Sequence, residues 1–137
     1  MTFIDTNIAV YAVDSHDSRK HKIAARLIDE AVVGDGFRIS AQVLFEFANI
    51  CQKKLGCTAQ EVLKLLDGLN SIEVVNQTPQ IVARAVEIKS LYCISLQDAM
   101  IVAAAEESRC GELLSEDLND GQIYAGVRVR NPFKDIR

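Results

Sequence analysis

Four acidic residues stand where their type and their neighbours could do chemistry: Asp5, Glu46, Asp98 and Asp117. Carboxylates gathered in one pocket repel and raise one another's pKa. That cost is offset when a divalent cation occupies the pocket. All-oxygen ligands favour Mg²⁺ or Mn²⁺ over Zn²⁺. A cation held this way binds a phosphodiester oxygen and neutralises developing charge. It also lowers the pKa of a bound water, and two cations about 4 Å apart could clamp the attacking and leaving oxygens. Thr6, Asn7 and Ser115 offer further polar atoms beside Asp5 and Asp117.

The acids are far apart in sequence, so secondary structure must bring them together. Thr2-Phe3-Ile4 is a short apolar run read as a strand, and Asp5-Thr6-Asn7 as the turn that ends it. Ser18 to Val33 has helical spacing, with Ile23, Ala24, Leu27, Ile28 and Ala31 on one face. Gly34-Asp35-Gly36 stops it. Phe37 to Ile39 reads as a strand, and Ser40 caps a helix running to about Leu55. Thr58 to Glu61 is a capping-box pattern that opens a helix to about Leu69. Ile72 to Val75 reads as a strand. Thr78-Pro79 starts a helix to about Leu91, and Ser95 one that ends near Arg109. Leu113-Leu114 reads as a buried strand. Val127 to Arg130 alternates like an edge strand.

Strands alternating with helices imply a parallel sheet with helices on its faces. Ligands then bind at the carboxyl ends of the strands. Asp5 and Asp117 each follow a strand. Asp98 lies in the first turn of its helix and Glu46 in the second turn of its own. All four should project near one sheet edge. Each also has a structural explanation. Asp is common in turns and caps, which would account for Asp5, Asp117 and Asp120. Ser95-Leu96-Gln97-Asp98 fits a capping box. Gln42, Glu46, Asn49 and Lys53 fit one solvated helix stripe. Asp98, however, opens the run Ala99 to Ala105, which is apolar all round and so buried. A carboxylate at its mouth is partly desolvated and needs a partner or a metal.

The bulk properties narrow the class. The 137 residues fit one domain, residues 1–137. Apolar residues make up 49% and charged residues 25%, ordinary globular values. The net charge of −4 counts mildly against nucleic-acid binding. Bound cations would reverse that locally. Cys51, Cys57, Cys93 and Cys110 lack the spacing of a zinc ribbon or a redox pair. They are expected as buried thiols in a reducing cytosol. His16 and His21 are too few for most zinc sites. No signal segment and no long apolar span is visible, so a cytoplasmic protein without a membrane partner is expected.

The segments around the acids resemble a known family. Phe3-Ile4-Asp5-Thr6-Asn7 resembles the opening of PIN domains. Ser40 with Glu46 is similar to their second acidic motif, Ser95 to Ala105 to the third, and Leu113 to Leu118 to the fourth. Ser115 stands where threonine is common, and the hydroxyl is kept. Gly126 to Phe133 resembles small prokaryotic members. The resemblance implies a three-layer α/β/α PIN-like domain, with a mostly parallel central sheet and helices on both faces. It implies a Mg²⁺- or Mn²⁺-dependent endoribonuclease, the toxin of a VapC-type toxin–antitoxin pair. It further implies an RNA substrate, a cognate antitoxin that occludes the acidic pocket, and a homodimer. Asp5, Asp98 and Asp117 would be metal ligands. Glu46 would complete the site as a ligand or by orienting the water.

A nuclease needs phosphate contacts. The candidates are Arg19-Lys20-His21-Lys22, Lys53-Lys54, and Arg128 with Arg130 on one strand face. Two other classes compete: another acid-cluster protein, such as a phosphatase or a phosphoaspartate receiver, and a non-catalytic binding module. An aspartyl-nucleophile phosphatase would want Asp-x-Asp after the first strand, where Asn7 stands instead. A phosphoaspartate receiver would want adjacent acids early, and none precede Thr2. A non-catalytic binding module would be marked by a lost acid, and none is lost.

Overall fold

The structure, a computed structural model, describes residues 1–134. Strands and helices alternate as β1 (Thr2–Ile4), α1 (Thr6–Val13), α2 (Ser18–Val33), β2 (Phe37–Ser40), α3 (Ala41–Lys53), α4 (Ala59–Gly68), β3 (Glu73–Val75), α5 (Pro79–Tyr92), α6 (Leu96–Glu107), β4 (Glu112–Leu114), β5 (Ile123–Tyr124) and β6 (Val127–Arg130). Each helix starts where its sequence satisfies the free N–H groups of the first turn. Asp17, Ser40, Thr78 and Ser95 accept from backbone amides of α2, α3, α5 and α6. Thr58 and Glu61 form a reciprocal capping box on α4. Behind the caps the apolar spacing decides which face is buried. Ala24, Ile28 and Ala31 line α2, Val43, Phe47 and Cys51 line α3, and Ile81, Ala85 and Ile88 line α5. Helix α6 is buried over Ala99 and Ile101–Ala105, as its unbroken apolar run requires.

The sheet order is β3-β2-β1-β4-β6-β5, parallel except for the β5–β6 pair. From β1 the chain steps outward to β2 and β3, then crosses back to β4 on the other side of β1. Right-handed crossovers place α1–α4 on one face and α5–α6 on the other, giving three layers. The reversal of direction opens a crevice at the carboxyl ends of β1 and β4, the usual place for a ligand in such sheets.

Three expectations need correction. Asp5-Thr6-Asn7 is not a turn: Asp5 is the N-cap of α1, its side chain accepting from Thr6 N. Helix α1 is short and largely apolar, so it carries little amphipathic signal, and packing against α2 and α3 holds it. Val127–Arg130 is not at the edge, because the two-residue β5 pairs outside it. A strand of that length has too little periodicity to read. Finally, the cysteines are not uniformly buried. Cys51 and Cys110 are, Cys57 is partly so, and Cys93 is exposed in a left-handed C-cap of α5.

Candidate active site

Asp5, Glu46, Asp98 and Asp117 line one pocket of about 310 Å³ at the crevice between β1 and β4. The folding of each local segment explains the convergence. Asp5 leaves β1 at Ile4, with its amide bonded to Leu114 O of β4 at 3.0 Å. Asp117 follows β4 by three residues. Glu46 is one turn and a half inside α3. Asp98 is held in the first turn of α6, where its amide donates to Ser95 Oγ at 3.0 Å. The reciprocal half of the expected capping box is absent among the described contacts, so the Asp98 carboxylate is left for the pocket.

Hydroxyls and an amide hold the acids in place. Ser115 Oγ donates to Asp5 Oδ2 at 2.7 Å, and Thr6 N to Asp5 Oδ1 at 2.7 Å. Thr6 Oγ1 donates to Glu46 Oε1 at 3.2 Å. Asn7 Nδ2 donates to Asp117 Oδ2 at 3.0 Å. The polar neighbours singled out in the sequence are therefore the groups that orient the acids. Asp5 is only 4% exposed. Burial pushes its carboxyl up from 3.8 to about 7, against the Ser115 and Thr6 donors, with Asp117 and Asp98 adding to the rise. Asp98 is raised too, first by burial and then by Asp117, while Ser95 opposes the shift.

None of the four acids makes an ion pair among the described residues. Unpaired carboxylates in a partly desolvated pocket suit an oxygen-seeking divalent cation in kind, since no His or Cys lines the pocket. Among the described residues, no three acids are yet gathered around one point.

The structure adds residues that the sequence did not single out. Tyr11, Asp14 and Gln97 line the pocket, with Val10, Ile50, Leu55 and Ile101 as an apolar wall. Asn7, Val10, Tyr11 and Asp14 are spaced as one helix face, a signal available had α1 been read as a helix. The basic candidates divide. Lys54 lines the pocket and Lys53 does not. Arg130 pairs with Glu112, and Arg128 donates to Gly121 O. Asp120 acts as a turn residue, accepting from Asn131 N and pairing with Lys134.

The family profile of the PIN domain matches residues 2–122. The chain belongs to the PIN-domain family. No curated protein sequence matches it significantly. Its fold is similar to that of a toxin–antitoxin complex from Klebsiella pneumoniae, at 22% identity over 96% of this chain and 98% of the other, with TM-score 0.72. VapC20 of Mycobacterium tuberculosis, described as a sarcin-ricin loop cleaving toxin, aligns at 18% identity over 93% and 99%, TM-score 0.69. VapBC2 from Rickettsia felis, bound to a promoter DNA fragment, aligns at 19% over 95% and 97%, TM-score 0.68. At these identities the likeness is one of fold. The three-layer α/β architecture expected from the sequence is the one observed.

Proposed function

We propose that this PIN domain is a divalent-metal-dependent endoribonuclease and the toxin of a toxin–antitoxin pair. The observation that carries this is the meeting of Asp5, Glu46, Asp98 and Asp117, with Asp14 as a fifth carboxylate, in one pocket at the topological switch point, none of them ion-paired among the described residues. Asp5, Asp98 and Asp117 would hold Mg²⁺ or Mn²⁺, with Glu46 as a further ligand or as the acceptor that orients water. When bound, such an ion supplies charge neutralisation at the phosphodiester and a more acidic water. The chain's own residues do the rest. Ser115, Thr6 and Asn7 fix the acids. The wall of Val10, Ile50, Leu55 and Ile101 limits water on one side. Among the described residues Lys54 is the only lysine or arginine lining the pocket, and it would meet a neighbouring phosphate. Hydrolysis joins a water oxygen to phosphorus, breaks one ester P–O bond, and leaves a proton on the departing oxygen.

The fold neighbours that are toxin–antitoxin complexes support an antitoxin partner. Exposed apolar residues, among them Phe45 at 72% and Leu63 at 64%, offer area for protein contacts, including a second copy. The alternative reading is a non-catalytic binding module of the same fold, in keeping with the acids of the described residues not forming a group of three around one point. The deciding experiment incubates purified, antitoxin-free protein with a cellular RNA pool, with EDTA, Mg²⁺ or Mn²⁺, beside Asp98→Asn. Metal-dependent cuts that vanish in the variant are expected. No cuts together with no Mn²⁺ binding by calorimetry would select the binding module.

A further inference from the structure

We propose that Lys20, Tyr11 and Glu116 form a clamp that positions Asp117, so that Lys20 serves the metal site and not the RNA backbone. This deepens the nuclease reading and rests on it for the role of Asp117. Glu116 directly precedes Asp117, and its carboxylate is held by one side chain that lines the pocket, Tyr11, and one that does not, Lys20. Lys20 Nζ of α2 donates to Glu116 Oε2 at 2.5 Å, and Tyr11 Oη of α1 donates to Glu116 Oε1 at 2.8 Å. Lys20 is itself fixed, with Nζ 5.0 Å from the Tyr11 ring centroid and 5.6 Å from that of Phe133. Those two rings meet edge to face at 5.1 Å. A surface ion pair alone is weak, because two long side chains must be ordered in water. Here the two aromatic faces add cation–π attraction and restrict the lysine.

The backbone carries the constraint onward. Glu116 N donates to Asn7 Oδ1 at 3.3 Å, while Asn7 Nδ2 holds Asp117 Oδ2. Asp117 N donates to Ser115 Oγ at 3.1 Å, and that hydroxyl donates to Asp5. The clamp therefore connects α1, α2 and the segment after β6 to the loop that bears Asp117. It also neutralises a carboxylate that would otherwise add a further negative charge beside the pocket. Glu116 does not line that pocket.

The test compares Lys20→Met, Lys20→Arg, Tyr11→Phe, Glu116→Gln and the double variant Lys20→Met/Glu116→Gln, with Arg26→Met as a charge control. Mn²⁺ affinity by calorimetry is expected to fall at least about tenfold in Lys20→Met, the usual scale for residues that orient ligands. Lys20→Arg should restore most of it. The double variant should be no worse than Lys20→Met, as expected of groups acting as a unit. In cleavage assays kcat should fall with little change in KM, whereas a lost phosphate contact would raise KM. Lower thermal stability with unchanged Mn²⁺ affinity would reduce the clamp to a structural brace and overturn the proposal. Amide hydrogen exchange at Glu116 and Asp117, measured without metal or RNA, separates this idea from the nuclease reading. Exchange at both is expected to accelerate about tenfold in Lys20→Met. Unchanged exchange overturns the clamp even if wild-type protein cuts RNA, and accelerated exchange together with weakened Mn²⁺ binding upholds it even if none is cut.

Discussion

Asp5 is at once the most buried of the four acids and the one with the most to gain from a cation. Its carboxyl holds its proton up to about pH 7 in the fold, against 3.8 ordinarily. The folded chain thus binds more protons than the unfolded chain between about pH 4 and 7, so stability falls as pH rises through that window. Below about pH 4 both states are protonated and the cost is absent. Above about pH 7 it is complete, on the order of 4 kcal/mol. Metal-free protein should therefore melt at a lower temperature at pH 8 than at pH 5, and Asp5→Asn should flatten that difference while abolishing cleavage. Calorimetric scans at both pH values check this, and a variant as pH-sensitive as wild type would exonerate Asp5. Lys54 is the second residue whose role is measurable alone. If it meets a phosphate, Lys54→Met should raise KM, leave kcat near wild type, and lower the salt slope of RNA binding by about 1. Cleavage and filter binding across a salt series would show it.

Elements act on the site through their ends. Helices α1, α3 and α6 all begin at the carboxyl edge of the sheet, and each brings an acid in its N-cap or first two turns. Their caps should therefore matter for function as well as stability. Ser95→Ala and Thr58→Ala each remove a capping hydroxyl and should cost about 1 kcal/mol. Only Ser95→Ala should also weaken Mn²⁺ binding, because Ser95 fixes the turn that carries Asp98. Thr58 caps α4 and does not line the pocket. Paired chemical denaturation and metal titration distinguish the two. Equal metal affinity in both variants would mean that the α6 cap does not set Asp98.

At the scale of the whole molecule, the crevice exists only because the sheet order reverses at β1. An ion bound there links both sides of the reversal and should stabilise the fold by mass action. At a hundredfold excess over Kd, Mn²⁺ should add about 2.7 kcal/mol. The corresponding Tm rise is on the order of 10 °C for a domain of this size. EDTA should remove it, and Asp5→Asn or Asp98→Asn should not show it. A melting curve indifferent to Mn²⁺ would mean that the acids hold no ion.

Much of this was legible in the chain itself. Caps, glycine stops and apolar spacing located α2 to α6, because those signals are local and act within a few residues. Asp5 and Asp117 could be placed at strand ends, and Asp98 at the mouth of a helix too apolar to be exposed. Parallel topology then sent all of them to one edge. Other features were decided only in three dimensions. Helix α1 and strand β5 are too short or too evenly apolar to show a period, and neighbouring elements select their conformation. The inner place of β6 depends on which strand pairs outside it. Lys20 looked like one charge in a basic run, and its partner Glu116 lies 96 positions away. The hydroxyl–acid and amide–acid pairs that fix Asp5 and Asp117 each join residues 110 positions apart. Local sequence sets what a segment can become, but which side chains share a pocket, and which acid loses its water, depends on contacts that exist only after the chain has closed on itself.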